Sequence, residues 1–241
     1  MNLIIDIGNS SAKLAVIEEN NILKKITCAS KSIASNVKKL RKEYLIKNCI
    51  VSSVSKFDMA KLNGFEGINK VIQLNHHTKI PFVNEYNSPS TLGVDRIALA
   101  SAAITNYPKQ NVLVIDAGTC ITYDFISSNK KYLGGAISPG IVIRYNSLHH
   151  YTANLPSLEQ DQYELIGKDT ESAIHSGVLN GLIQEIDGVI GQYQKNYQNL
   201  TVVLTGGDTN FLAKKLKSSI FANPNFLLEG LNSILIHNLD E

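Results

Sequence analysis

Residues 3–17 read LIIDIGNSSAKLAVI, and residues 112–126 read VLVIDAGTCITYDFI. Setting Asp6 on Asp116 also sets Gly8 on Gly118 and Asn9 on Thr119. Each copy runs an apolar strand into an acidic-glycine turn and out along a second strand-like run, which is the pattern of a hairpin. The offset, 116 − 6 = 110 residues, is nearly half of the 241-residue chain, so the pair reads as a duplicated domain.

The segments around these hairpins complete two α/β halves. In the first, helical spacing covers 34–46 and the alanine-rich stretch 92–106, with strands at 49–53 and 70–74. In the second, a long helix is predicted over 170–193, a strand over 200–205, a short helix over 210–218 and a closing helix over 227–239. Val202 to Thr205 form an unbroken β-branched and leucine run before Gly206-Gly207, as expected of a strand covered on both faces. The Asn-, Ser- and Pro-rich stretch 84–90 is a connection within the first half. The boundary falls near 107–111, giving domains 1–108 and 109–241.

Hydrophobic residues make up 44% of the chain and charged residues 18%, enough apolar surface to build a core and no sign of disorder. The net charge, 23 − 21 = +2, offers no electrostatic case for nucleic acid or an anionic membrane as partner. The eight basic residues between Lys24 and Lys47 read as the solvated face of a helix and its flanks. Three cysteines, Cys28, Cys49 and Cys120, contain no CxxC pair, so neither a disulfide framework nor a zinc site is implied and a reducing cytosol is expected. The histidine pairs 76–77 and 149–150 are not spaced as a chelating face. The opening MNLIIDIGNS lacks a basic region and carries Asp6 inside its apolar run, so no signal peptide is expected. No run reaches the ~18 apolar residues of a membrane span.

Five segments carry candidate chemistry. Gly8, two residues after the strand-end carboxylate Asp6, permits a tight turn and a close approach of backbone to a ligand. Asn9, Ser10 and Ser11 then offer donors to phosphate oxygens, and Lys13 adds a cation. The Asp6 carboxylate would repel phosphate unless a metal lay between them, so Mg2+ held mainly through water is inferred. The alternative for this segment is a plain hairpin turn with an Asx cap. The turn Asp116-Ala117-Gly118-Thr119 offers the same chemistry, and two such turns facing each other could bracket the phosphates of a nucleotide in an interdomain cleft. Cys120 reads as core. Thr205-Gly206-Gly207-Asp208 would suit an adenosine lying against backbone, or simply a turn into a helix. The stretch 134–140, GGAISPG, fixes an unusual backbone path or forms a rigid loop. Finally, Tyr86, Pro89 and Thr91 to Arg96 lead into the alanine-rich helix. Asp95 stands near its start, where the helix dipole favours the ionised form, and Arg96 can hold an anionic group with its planar fork. Read alone, Asp95 is a helix cap; beside a phosphate site it is a carboxylate placed to accept a hydroxyl proton.

Taken in order, these segments resemble the type III pantothenate kinases. The resemblance runs through DxGNS at Asp6, Tyr-x(6)-GxDR from Tyr86 to Arg96, DxGT at Asp116, GGxIxPG from Gly134 and Leu155-Pro156. GKDTxxAIxSG from Gly167, TGG at Thr205 and GLN at Gly230 complete it. It implies an actin-like or sugar-kinase α/β fold of two duplicated ribonuclease-H-like domains around an ATP cleft, in a cytoplasmic homodimer. It further implies that Asp6, Ile7, Gly8, Asn9, Ser10, Ser11, Ala12, Lys13 and Thr119 bind ATP, and that Asp95 is the catalytic base. Tyr86, Gly93, Val94, Asp95 and Arg96 would line the pantothenate pocket, with Thr170 reaching it from the other subunit. Asp116 would hold a monovalent cation, K+ or NH4+, beside the Mg2+ that accompanies ATP. Cys120 stands where the family usually has alanine, and Arg144 where it often has an apolar residue.

Two alternatives remain open at this level. One is a non-catalytic nucleotide-binding regulator of the same fold; the other is a kinase for another small alcohol or acid. The dimer has a candidate surface in the stripe Ala173, Ile174, Val178, Leu182, Ile186 and Ile190, unless that stripe faces its own sheet.

Overall fold

Asp6 lies at the end of β1 (Asn2–Ile7), which turns back into β2 (Ala12–Glu18) with Asp6 opposite Lys13 across an antiparallel ladder. The computed structural model describes residues 1–8, 11–53 and 65–239; Asn9 and Ser10 of the first turn lie outside them. Three more strands, β3 (Asn21–Cys28), β4 (Asn48–Ser53) and β5 (Lys70–Gln73), complete a sheet of order β3-β2-β1-β4-β5. β1 and β4 are parallel and buried on both faces, which is why Leu3 to Ile5 and Cys49 to Val51 are unbroken apolar runs instead of alternating. One face is covered by α1 (Ile33–Glu43), whose Ile33, Val37 and Leu40 recur at helical spacing and are buried with Leu3, Ile5 and Val51. The lysines of β3 and α1 point outward, as the solvated reading of that basic run requires.

The other hairpin consists of β7 (Asn111–Ala117) and β8 (Cys120–Ile126), again antiparallel. The two-residue β6 (Val83–Asn84), β9 (Lys131–Pro139), β10 (Leu200–Thr205) and the short β11 (Phe221–Ala222) extend its sheet in the order β11-β10-β7-β8-β9-β6. Its helices are α3 (Ile141–His150), α4 (Thr170–His175), α5 (Gly181–Asn196) and the single turn α6 (Thr209–Leu212). The long helix expected over 170–193 is real but passes through a π-helical turn, Ser176–Asn180, between α4 and α5. Of the stripe, Ile174, Val178, Leu182, Ile186 and Ile190 are buried with Leu113, Ile115 and Val202 of their own sheet, so these five are core and not an open subunit surface, and Ala173 alone is exposed.

Two compact units result. The first comprises Met1–Pro108, Lys130–Tyr132 and Asn225–Glu241; the second comprises Lys109–Asn129 and Leu133–Pro224. The sequence reading had assigned everything after residue 109 to the second half, whereas the closing helix α7 (Phe226–His237) packs on the first. The reason is contact between small residues. α7 lies along α2 (Val94–Asn106), and a Cβ on Gly230 would stand 1.9 Å from the Ala98 carbonyl oxygen and 3.2 Å from the Ala102 methyl. Asn232, buried two positions later, accepts from Asn2 Nδ2 at 2.9 Å and donates to the Glu19 carbonyl at 2.9 Å, tying the helix to both ends of the β1–β2 hairpin. These contacts give a structural meaning to the GLN sequence at 230–232. Asn232→Ala removes a buried side chain and both of its hydrogen bonds at once and is expected to cost about 2 kcal/mol. The urea midpoint should fall with an unchanged slope; a loss below about 0.5 kcal/mol would remove Asn232 as the tie.

Candidate active site

In the first unit the chain brings two carboxylates together. Asp6 is 6% exposed, and its carboxyl pKa is raised to about 6, chiefly by burial. The Lys13 ammonium opposes that rise, and the negative charge of Asp95 adds to it. A buried carboxylate with a second negative charge beside it needs a cation to stay ionised, so the site is matched to a positively charged ligand. Gly8 closes the turn by donating to the Ser11 carbonyl at 3.0 Å. Ile7 and Ala12 are buried in the core, so what they can offer a nucleotide is backbone alone.

Asp95 is the second residue of α2, and Gly93 is that helix's N-cap. Its Oδ1 accepts the Arg96 backbone N–H at 2.9 Å. Gly93, the N-cap, has no side chain to give, and the Arg96 N–H that Asp95 accepts is one of the first-turn donors with no partner inside the helix, so Asp95 does serve the helix end. Gly93 explains itself from the same geometry, since a Cβ there would lie 2.3 Å from the Asp95 carboxylate. The GxD pattern thus makes room for this carboxylate in this rotamer. Val94 opens the helix. Arg96 is buried, and its guanidinium lies over the Tyr86 ring, with Cζ 5.8 Å from the centroid. Tyr86 is itself set by an Asx turn, its N–H donating to Asn84 Oδ1 at 3.0 Å.

In the second unit, two distant segments converge on the turn Asp116 to Thr119. Gly206 has φ +97°, and a Cβ there would meet the Ala117 carbonyl oxygen at 2.2 Å and Asp116 Oδ1 at 2.5 Å. Gly140 would meet the Gly118 and Thr119 carbonyl oxygens at 2.1 and 2.5 Å. Asp208 donates its N–H to the Ala117 carbonyl at 3.0 Å, and burial raises its own carboxyl pKa. The glycines of TGGD and PG are thus the consequence of packing directly against the acidic-glycine turn. Thr119 is exposed at the tip. Cys120 is exposed as well, contrary to the expectation that it is core; the alternation of β8 turns Ile121 inward and its neighbour out.

Residues 134–140, for which the sequence leaves open an unusual backbone path or a rigid loop, lie mostly within β9, and the tight path is the one observed. A Cβ on Gly135 would stand 1.6 Å from the Tyr123 carbonyl oxygen, so the glycines mark a strand running close over β8. Arg144 donates to the Pro139 carbonyl at 2.9 Å, to Ser138 Oγ at 3.0 Å and to Glu185 Oε2 at 2.5 Å. Burial disfavours ionised Glu185, but hydrogen bonds from Ser138, Arg144 and Tyr123 outweigh it and hold the carboxyl below its usual range. The arginine is therefore absorbed by a matching acid. Thr170 is the exposed first residue of α4, whose capping box is made by Asp169 and Ser172.

Among the described residues no group of three or more His, Cys, Asp or Glu side chains is arranged to hold a metal. One or two carboxylates with water and phosphate oxygens is the donor set Mg2+ ordinarily takes in nucleotide sites, and Asp6 fits that pattern. Nor is any helix among the described residues long and apolar enough to cross a membrane. Tyr132, fully buried against this site, was missed by the sequence reading. No local pattern could have found it: Leu133 beside it is apolar yet exposed, so the alternation of β9 is not written in its residue types.

Two α/β units, each opened by an antiparallel hairpin that carries an acidic-glycine turn and extended by parallel strands, define an actin-like or sugar-kinase protein of two duplicated ribonuclease-H-like domains. A glucokinase from an Antarctic psychrotroph shares that fold, with a TM-score of 0.54 at 12% identity over 98% of each chain. A Campylobacter jejuni structure described as a Baf family transcriptional activator superposes with a TM-score of 0.66 at 26% identity, covering 99% of this chain and 100% of that one. The sequence model of type III pantothenate kinases matches residues 2–192. The type III pantothenate kinase of Flavobacterium johnsoniae is 47% identical over 244 residues, covering 100% of this chain and 99% of its own. The chain belongs to the type III pantothenate kinase family.

Proposed function

We infer that this protein transfers a phosphoryl group from ATP to pantothenate, forming 4'-phosphopantothenate in the first step of coenzyme A biosynthesis. The observation that carries the reading is the pair Asp6 and Asp95, one placed for cations and phosphate and the other at the head of the helix that also bears Arg96. A divalent metal, taken as Mg2+, supplies charge neutralisation on the phosphates when bound, with Asp6 reaching it through water. The backbone from Gly8 to Ala12 and the Lys13 ammonium hold phosphate oxygens, and Thr119 contributes from the second turn. Arg96 and Tyr86 receive the pantothenate carboxylate, and Asp95 accepts the proton of the hydroxyl that attacks. Asp116 holds a monovalent cation, K+ or NH4+.

A homodimer completes the site through Thr170 of a second copy. In support, Ile137, Val142, Leu165 and Ile166 are each more than 60% exposed, an apolar set that the core leaves outside. Mixing Asp95→Asn subunits with Thr170→Ala subunits should therefore restore activity that neither variant has alone. An active monomer by light scattering would end the composite-site reading. ADP formation should need pantothenate, should not occur with glycerol, acetate or common sugars, and should drop sharply when Na+ replaces K+. A second reading, a nucleotide-binding regulator, draws on the name given to the Campylobacter jejuni relative. Absence of pantothenate-dependent ADP release from well-folded protein would favour it.

A further inference from the structure

Tyr132 has no part in the reaction as described, yet it touches the centre of the substrate pocket that description assigns. It is fully buried, and its ring centroid lies 6.1 Å from that of Tyr86 and 5.9 Å from Arg96 Cζ. With the 5.8 Å from Arg96 Cζ to Tyr86, the three distances close a nearly equilateral triangle. The guanidinium is therefore seated in the notch between two rings tilted by 50° and is not sandwiched between parallel faces. A cation held by two aromatic faces has its plane set by both, and the N–H edge left over points where that plane directs it.

The local fold exists to deliver these rings. β6 (Val83–Asn84) pairs in parallel with only the first two residues of β9, Val83 opposite Lys131 and Asn84 opposite Tyr132. The bridge is fastened by Glu85 N–H donating to the Tyr132 carbonyl at 3.0 Å and by the Lys131–Glu85 ion pair at 2.7 Å. Asn84 then turns the chain to present Tyr86. Phe82 backs Tyr132 from another side, 6.2 Å between centroids. A two-residue strand pairing buries little surface, and what it accomplishes is to set two tyrosines around one arginine.

We propose that Tyr132 is a positioning residue that sets the plane of Arg96 and, through it, the recognition of a carboxylate-bearing alcohol as substrate. The proposal rests on the reading that Arg96 holds the pantothenate carboxylate. It predicts that Tyr132→Leu raises KM for pantothenate roughly tenfold, the scale of one desolvated cation–ring contact, while kcat and KM for ATP stay within about twofold. Tyr132→Phe should return KM to normal, because the ring acts and the hydroxyl does not. Phe82→Leu removes a neighbouring aromatic ring that packs on Tyr132 and should leave KM alone.

Steady-state kinetics on the intact enzyme decide among the outcomes. If Arg96→Met leaves KM for pantothenate unchanged, the carboxylate reading fails and this proposal with it. If Arg96→Met raises KM but Tyr132→Leu does not, or if the two effects add in the double variant, only the positioning role fails. Should Tyr132→Leu not fold, progressively fluorinated phenylalanines at position 132 keep the shape while weakening the ring's negative face. KM rising with fluorination supports the proposal; a flat series overturns it.

Discussion

Asp95→Asn should lower turnover by about two orders of magnitude or more while the fold and ATP affinity stay nearly unchanged. The attacking group is an alcohol, a poor nucleophile until its proton has somewhere to go, and a placed carboxylate typically contributes about 10²–10⁴-fold. The rest of phosphoryl transfer is positioning and charge stabilisation, which asparagine does not disturb. The geometry makes this substitution a clean one. Asparagine retains the Oδ1 that accepts the Arg96 backbone N–H at 2.9 Å, so the bond that Asp95 makes to the first turn of α2 is kept. The cost in stability should stay below about 1 kcal/mol. One electrostatic consequence favours the variant's fold: removing the Asp95 charge relieves part of what raises the neighbouring Asp6 carboxyl pKa, although burial remains the larger cause. Single-turnover kinetics with saturating pantothenate separate the chemical step from product release. Near-normal turnover in a folded Asp95→Asn enzyme would show the carboxylate to be structural, and the general-base assignment would fall.

What the amino-acid sequence makes legible depends on how local the cause is. The hairpins carrying Asp6 and Asp116 could be read because an unbroken apolar strand, an acid and a glycine sit within a few residues of each other. β10 was equally clear, since a strand buried on both faces is apolar throughout. α7 shows the opposite case. Its apolar face matches either sheet, and only the close approach of Gly230 to Ala98, more than a hundred residues away, sends it to the first unit. β9 was hidden because paired glycines suggest a loop, when the true cause is the Tyr123 carbonyl lying where a Cβ would be. Within the candidate site, Asp6, Asp95 and Arg96 stood out by chemistry and spacing. Tyr132 did not, because its role depends on a strand pairing that no local pattern announces.

The same reasoning yields the largest expected loss of stability, at Gly206. The backbone there has φ +97°, a conformation that costs an L-residue of order 1–3 kcal/mol. An added methyl would also overlap the Ala117 carbonyl oxygen at 2.2 Å and Asp116 Oδ1 at 2.5 Å. The Ala117 carbonyl cannot yield easily, because it accepts the Asp208 N–H at 3.0 Å, so the movement left is that of the Asp116 side chain. Strain and overlap together put Gly206→Ala at about 3–5 kcal/mol, a loss large enough to shift the denaturant midpoint well outside error. Gly207 is the matched control, because a Cβ there meets nothing within 4 Å, so Gly207→Ala should change stability by less than about 1 kcal/mol. A folded Gly206→Ala protein would also have its Asp116 carboxylate pushed aside. If Asp116 holds K+, the K+ concentration for half-maximal activity should then rise in Gly206→Ala and not in Gly207→Ala. Equal stability of the two variants would mean that the turn at Asp116 relaxes freely, and that the glycine is there for a ligand instead of for the acid beside it.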